Sequence, residues 1–141
     1  MSETMKLEGG CLCGAVRYRV TGKPYHLTHC HCTLCRRASG APFVTWFSVP
    51  SEGFRIAQGE PVGYQSSPGA VRSFCGRCGT ALTCQRDDLR GEIDITVCSL
   101  DDPEALTPED HTYVRSRLRW VLTSDGLPEH AMVRTDPGEH K

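Results

Sequence analysis

Seven cysteines fall into three close groups, Cys11-x-Cys13, Cys30-x-Cys32-x-x-Cys35 and Cys75-x-x-Cys78, and nothing else in the chain restricts its fold as much. Four thiolates in two close pairs satisfy one tetrahedral zinc ion, while three thiolates satisfy a second only in part. A closed site is structural; a site with an open position is where chemistry can take place. The spacing therefore predicts one structural Zn²⁺ on Cys11, Cys13, Cys75 and Cys78, and one labile, catalytic Zn²⁺ on Cys30, Cys32 and Cys35. Cys11 and Cys13 read as an i, i+2 pair on one face of an extended strand. Cys75-Gly-Arg-Cys78-Gly79 reads as a knuckle whose glycines allow backbone N–H groups to face the sulfurs. Joining the pairs closes a loop of 61 residues between Cys13 and Cys75, a large restraint on the unfolded chain.

His29 and His31 flank Cys30 but have the wrong strand parity to complete the triad, since alternate residues point to opposite faces. Cys84 and Cys98 stand singly in strand-like runs and read as buried thiols. Three thiolates leave a bound Zn²⁺ with formal charge −1, a weak Lewis acid that acidifies water poorly. Such a soft site instead favours a fourth thiolate, held as an activated nucleophile. Arg36 and Arg37 follow the last ligand directly and are candidates to offset the charge or to hold a substrate carboxylate.

The rest of the chain bounds this reading. With 141 residues, a single domain is expected. Hydrophobic residues reach only 38%, so the core is thin and metal clips would reinforce it. The net charge of −1 gives no overall field toward nucleic acid. Met1 to Lys6 has no apolar run of the secretory type, and an odd number of cysteines argues for a reducing compartment, so a cytoplasmic setting is expected. No stretch of 18 apolar residues is present, which argues against a membrane-spanning helix.

Val16, Tyr18 and Val20 alternate with Arg17 and Arg19, as in a half-buried strand. Strands are also expected from Pro42 to Val49, Phe54 to Ala57, Val62 to Ser66, Glu92 to Cys98 and Tyr113 to Arg119. Short helical turns are expected at Arg36 to Gly40 and at Pro103 to Leu106. With 14 glycines, 9 prolines and no long helical period, the class is all-β. The tail from about Thr135 is polar and is expected to fray.

These residues resemble a known family, the glutathione-dependent formaldehyde-activating enzymes, or GFA domain, which includes centromere protein V. The matching segments are Gly9-Gly-Cys-Leu-Cys-Gly14, Cys30-His-Cys-Thr-Leu-Cys-Arg-Arg-Ala-Ser-Gly40, Tyr64-Gln-Ser-Ser-Pro-Gly69 and Arg72-Ser-Phe-Cys-Gly-Arg-Cys-Gly-Thr-Ala-Leu82. His111, Trp120 and Asp125-Gly-Leu-Pro128 match near the end. The resemblance implies a GFA-type zinc domain over 8–130, between an extension at 1–7 and a polar tail at 131–141. It implies tent-like antiparallel sheets stapled by zinc and the same division of the seven ligands. It also implies a carbon–sulfur lyase activity that joins glutathione to formaldehyde. Small-thiol and small-aldehyde partners are thus expected, and a membrane or nucleic acid is not. His111 is a weak candidate for a general acid, and His130 stands where many relatives carry an aromatic residue. The rival reading is a non-enzymatic zinc module that recruits protein or nucleic acid through Arg115, Arg117 and Arg119 on one strand face.

Overall fold

A computed structural model describes residues 5–89 and 91–134. In chain order its elements are β1 Met5–Gly10, β2 Arg17–Gly22, β3 Tyr25–Cys30, helix α1 Thr33–Ser39, β4 Val44–Pro50 and β5 Phe54–Gln58. They continue with β6 Val62–Ser67, β7 Ala70–Phe74, β8 Ala81–Arg86, β9 Glu92–Thr96 and β10 Asp110–Thr112, with short 3₁₀ turns between several of them. The all-β class expected from the sequence is what forms. The described residues form two compact units, one within 5–25 and 47–106, the other within 26–46 and 107–134.

In the first unit, β1, β2 and β5 form an antiparallel sheet in the order β1-β2-β5. The alternation of β2 is realised in its burial: Tyr18 and Val20 are each 1% exposed, while Arg19 faces water. β1 begins at Met5, so the strand takes in residues expected to form an extension. Gly9 pairs opposite Tyr18, and a Cβ there would lie 2.5 Å from the Ser99 carbonyl and the Tyr18 hydroxyl. Only glycine fits that approach. A second set of strands in this unit runs in the order β9-β8-β7-β6, antiparallel throughout. Phe47 and Val49, at the end of β4 that falls in this unit, and Leu82 and Ile95 are among the unit's most deeply buried apolar side chains. Burying such side chains is worth about 1.5–3 kcal/mol each.

In the second unit the order is β10-β3-β4. β10 pairs β3 in parallel, with His111 opposite His29 and Thr112 opposite Cys30, a departure from purely antiparallel pairing. α1 begins three residues earlier than expected. Cys32 is its N-cap, and its sulfur accepts the Cys35 N–H; Gly40 ends it at φ 71°, the left-handed C-cap that glycine allows.

Two expected strands are corrected. The chain from Tyr113 to Arg119 is not extended: Tyr113 takes φ 56°, and a 3₁₀ turn follows at Val114–Ser116. That reversal breaks the alternation on which an arginine face depended, and Arg117 pairs with Glu129 at 2.9 Å. The run from Glu92 leaves the sheet after Thr96 and enters a 3₁₀ turn at Val97–Ser99, which leaves Cys98 exposed instead of buried. Cys84, on β8, is buried as expected. The tail from Thr135 lies outside the described residues.

Candidate metal centres

The first unit brings Cys11, Cys13, Cys75 and Cys78 together, with all four sulfurs within 4.8 Å of one another. The first pair does not lie in a strand. It occupies the tight turn between β1 and β2, where Gly14 N–H donates to the Cys11 carbonyl and Cys11 N–H to the Val16 carbonyl. This turn leaves amides free to face sulfur: Val16 N–H donates to Cys11 Sγ at 3.2 Å. On the other pair, Cys75 Sγ accepts from Arg77 N–H at 3.3 Å and Cys78 N–H at 3.5 Å, the knuckle arrangement its glycines suggested.

A tetrahedral zinc with Zn–S bonds of about 2.3 Å sets its sulfurs about 3.8 Å apart. Cys13 Sγ lies 3.8 Å from Cys75 Sγ, and Cys11 Sγ lies 3.6 Å from Cys13 Sγ. The donor set therefore fits such an ion. Charge is managed locally. The Thr80 hydroxyl contacts Cys78 Sγ at 3.3 Å while accepting Leu12 N–H, and this leads the lowering of the Cys78 thiol to about 5. Cys13 shows the opposite tendency. A hydrogen bond with the Ala15 backbone lowers its pKa, but burial and the crowding of Cys11, Cys75 and Cys78 raise it to about 11. Thr80 was not read from the sequence as functional, although its place directly after Cys78-Gly79 was a signal for it.

The second unit brings Cys30, Cys32 and Cys35 together. Cys30 closes β3, Cys32 caps α1 and Cys35 lies in its first turn, so one short segment supplies all three. Cys30 and Cys35 are buried with their sulfurs 3.6 Å apart, and Cys32 is half-buried. Contact with Cys32 and Cys35, reinforced by burial, drives the Cys30 thiol strongly upward. Three thiolates in so small a space are stable only around a positive charge, which again fits a metal ion.

Among the described residues, the triad's cluster contains no further cysteine, histidine or carboxylate ligand. His29 and His31 turn away from it, as their parity predicted. His31 is fully buried and burial, foremost, lowers it to about 4; burial likewise lowers His29. Arg36 is half-buried and donates to the Ser116 carbonyl at 3.1 Å, while Arg37 stays exposed. His111 is fully buried, with hydrogen bonds to His31 and Asp125 on its two ring nitrogens.

Comparison with known proteins adds what geometry alone does not. The family described as glutathione-dependent formaldehyde-activating enzyme matches residues 6–116. The chain belongs to this family. A Halomonas elongata protein provisionally named glutathione-dependent formaldehyde-activating enzyme is 39% identical over 87 residues, covering 55% of this chain and 55% of its own length. An uncharacterized lyase of Schizosaccharomyces pombe is 37% identical over 76 residues, 53% of this chain and 54% of that protein. The chain thus spans about half the length of the curated relatives it matches. The crystal structure of a Rhodobacter sphaeroides protein resembles this chain in fold, with a TM-score of 0.57 and 24% identity over 87% of this chain and 98% of that one. Among the described residues no helix is long and apolar enough to cross a membrane.

Proposed function

We propose that this chain is a zinc-dependent carbon–sulfur lyase-type enzyme that binds a small thiol such as glutathione. It adds the thiol to a small aldehyde such as formaldehyde, or releases it. In this reading Cys11, Cys13, Cys75 and Cys78 hold a structural zinc, and Cys30, Cys32 and Cys35 a labile catalytic one. The observation that carries the reading is the triad: three gathered sulfurs with no fourth protein ligand in their cluster among the described residues. The family match and the names of the two relatives agree with it.

Zinc on the triad, when bound, supplies a positive charge that keeps an incoming thiol ionised near neutral pH. Cys30 and Cys35 are fixed by burial, and Cys32 forms the accessible edge of the triad. Arg37, exposed on α1, is the residue free to meet a thiol's carboxylate, while Arg36 ties the helix to Ser116. In the addition step the thiolate sulfur attacks the carbonyl carbon and a C–S bond forms. The C=O π pair moves to oxygen, which takes one proton from solvent to give the hydroxyalkyl thioether. Release runs in reverse.

Calorimetry of zinc-loaded protein with glutathione tests this reading. Binding should occur with proton release, because a thiol of pKa near 8.5 must ionise to ligate the metal. Cys32→Ser should abolish that binding and the acceleration, over the uncatalysed rate, of the exchange between glutathione and S-hydroxymethylglutathione seen by NMR. Equal binding by the Cys32→Ser protein would remove the triad from the mechanism.

A further inference from the structure

The second unit carries another cluster of metal-binding groups, and it contains no sulfur. His29 on β3 and His111 on β10 are register partners in a parallel pair, so their side chains share one face of the sheet. Their rings lie 4.8 Å apart between centroids. Asp125 closes the group, with Oδ2 2.9 Å from His111 Nε2. One ligand atom from each residue lies within 4.8 Å of the other two. With metal–ligand bonds of about 2.0–2.1 Å, a tetrahedral ion places such atoms about 3.3 Å apart, within the range these distances span.

What distinguishes this cluster from a chance gathering is the occupation of the opposite atom of each residue. His29 Nδ1 meets Thr45 Oγ1 at 2.8 Å, which leaves Nε2 for a metal. His111 Nδ1 meets His31 Nε2 at 3.0 Å, which turns Nε2 toward Asp125 Oδ2, the contact an ion between them would replace. Asp125 Oδ1 accepts Leu127 N–H at 3.1 Å, which leaves Oδ2. Partners of this kind fix the ring orientation and tautomer of metal-bound histidines. Asp125 is 39% exposed, so the cluster opens to solvent on the carboxylate side.

The geometry points to His29, His111 and Asp125 as a further metal site, which takes one borderline divalent ion such as Zn²⁺ or Co²⁺ through two imidazoles and a carboxylate. The ion takes the Nε2 lone pair of His111, whose proton then sits on Nδ1 and is donated to His31. One carboxylate leaves a divalent ion at formal charge +1, against −1 for an ion held by three thiolates. A position left open here therefore suits water or a small oxygen ligand, where the triad suits sulfur. This site shares no ligand with the triad and does not depend on the reaction proposed for it.

The test is a Co²⁺ titration of protein whose cysteine sites are already filled with zinc. One further equivalent should bind and give visible d–d bands without thiolate-to-cobalt charge transfer. Asp125→Asn and His29→Gln should each weaken that uptake by about 10-fold or more, with circular dichroism and zinc content unchanged, while Cys32→Ser should leave it intact. The inference is overturned by no uptake, by uptake showing charge transfer, or by an unchanged midpoint in Asp125→Asn. The first outcome would leave the His111–Asp125 pair as a structural hydrogen bond alone.

Discussion

At Cys78, one hydroxyl sets the charge of a thiol. Thr80 Oγ1 accepts Leu12 N–H at 3.0 Å and lies 3.3 Å from Cys78 Sγ, within reach to donate its single proton to the thiolate. Thr80→Val keeps the shape and removes that proton. The variant should hold zinc at the four-cysteine site about 10- to 100-fold more weakly in chelator competition, with its fold retained at saturating zinc. A second residue predicts the alkaline limit of the fold. Burial raises the Tyr18 phenol to about 12, against the opposing effect of its hydrogen bond to Ser99. The unfolded chain ionises near 10 and the folded one holds its proton longer, so the unfolded state binds fewer protons across that window. The stabilisation is full below pH 10 and is lost as pH rises through about 12. Tyr18→Phe should be less stable at neutral pH by about 1 kcal/mol for the lost hydrogen bond. Its urea midpoint should converge on that of the wild type as pH rises above 10; a constant gap would contradict the assignment.

Helix α1 shows how a short element divides labour between neighbouring residues. Its N-cap is a triad cysteine, its end is fixed by Gly40, and Arg36 anchors it to Ser116. Arg37 makes none of these ties and stays exposed. The two arginines, equivalent in the sequence, should therefore separate in experiment. Arg37→Ala should weaken glutathione binding by roughly 1–3 kcal/mol, the range of a charge-assisted hydrogen bond, with little change in stability. Arg36→Ala should lower the denaturant midpoint by leaving the Ser116 carbonyl without its donor. Calorimetry alongside urea unfolding distinguishes the two, and Arg115→Ala, on an exposed turn residue, serves as the control. The helix was legible only in part. Gly40 marked its end, but Cys30-His-Cys-Thr-Leu-Cys read as an extended ligand segment, because no local signal shows a cysteine acting as an N-cap.

At the scale of the molecule, a zinc on the four-cysteine centre would close the loop of 61 residues between Cys13 and Cys75. Its ligands come from the turn after β1 and the knuckle between β7 and β8. Zinc at such a site contributes on the order of 10 kcal/mol to folding, comparable to the whole net stability of a domain. Cys75→Ser should therefore leave largely unfolded protein. Mild chelation should instead remove only the triad ion and leave a cooperative melt. Circular dichroism with metal analysis checks both, and loss of the two ions together with the fold would contradict the division.

The sequence by itself determined the all-β class, the positions of β2, β4, β5, β6 and β9, and the grouping of seven cysteines into a four and a three. Those features are local: alternation fixes which side a residue faces, and spacing fixes which sulfurs can share an ion. Tertiary structure decided the rest. The left-handed Tyr113 turned an alternating run into a 3₁₀ turn and dispersed an arginine face. The return of the chain after residue 110 set His111 beside His29, and Asp125 against His111. No spacing could disclose that cluster, because its residues lie on separate segments and only strand register and the following loop make them neighbours.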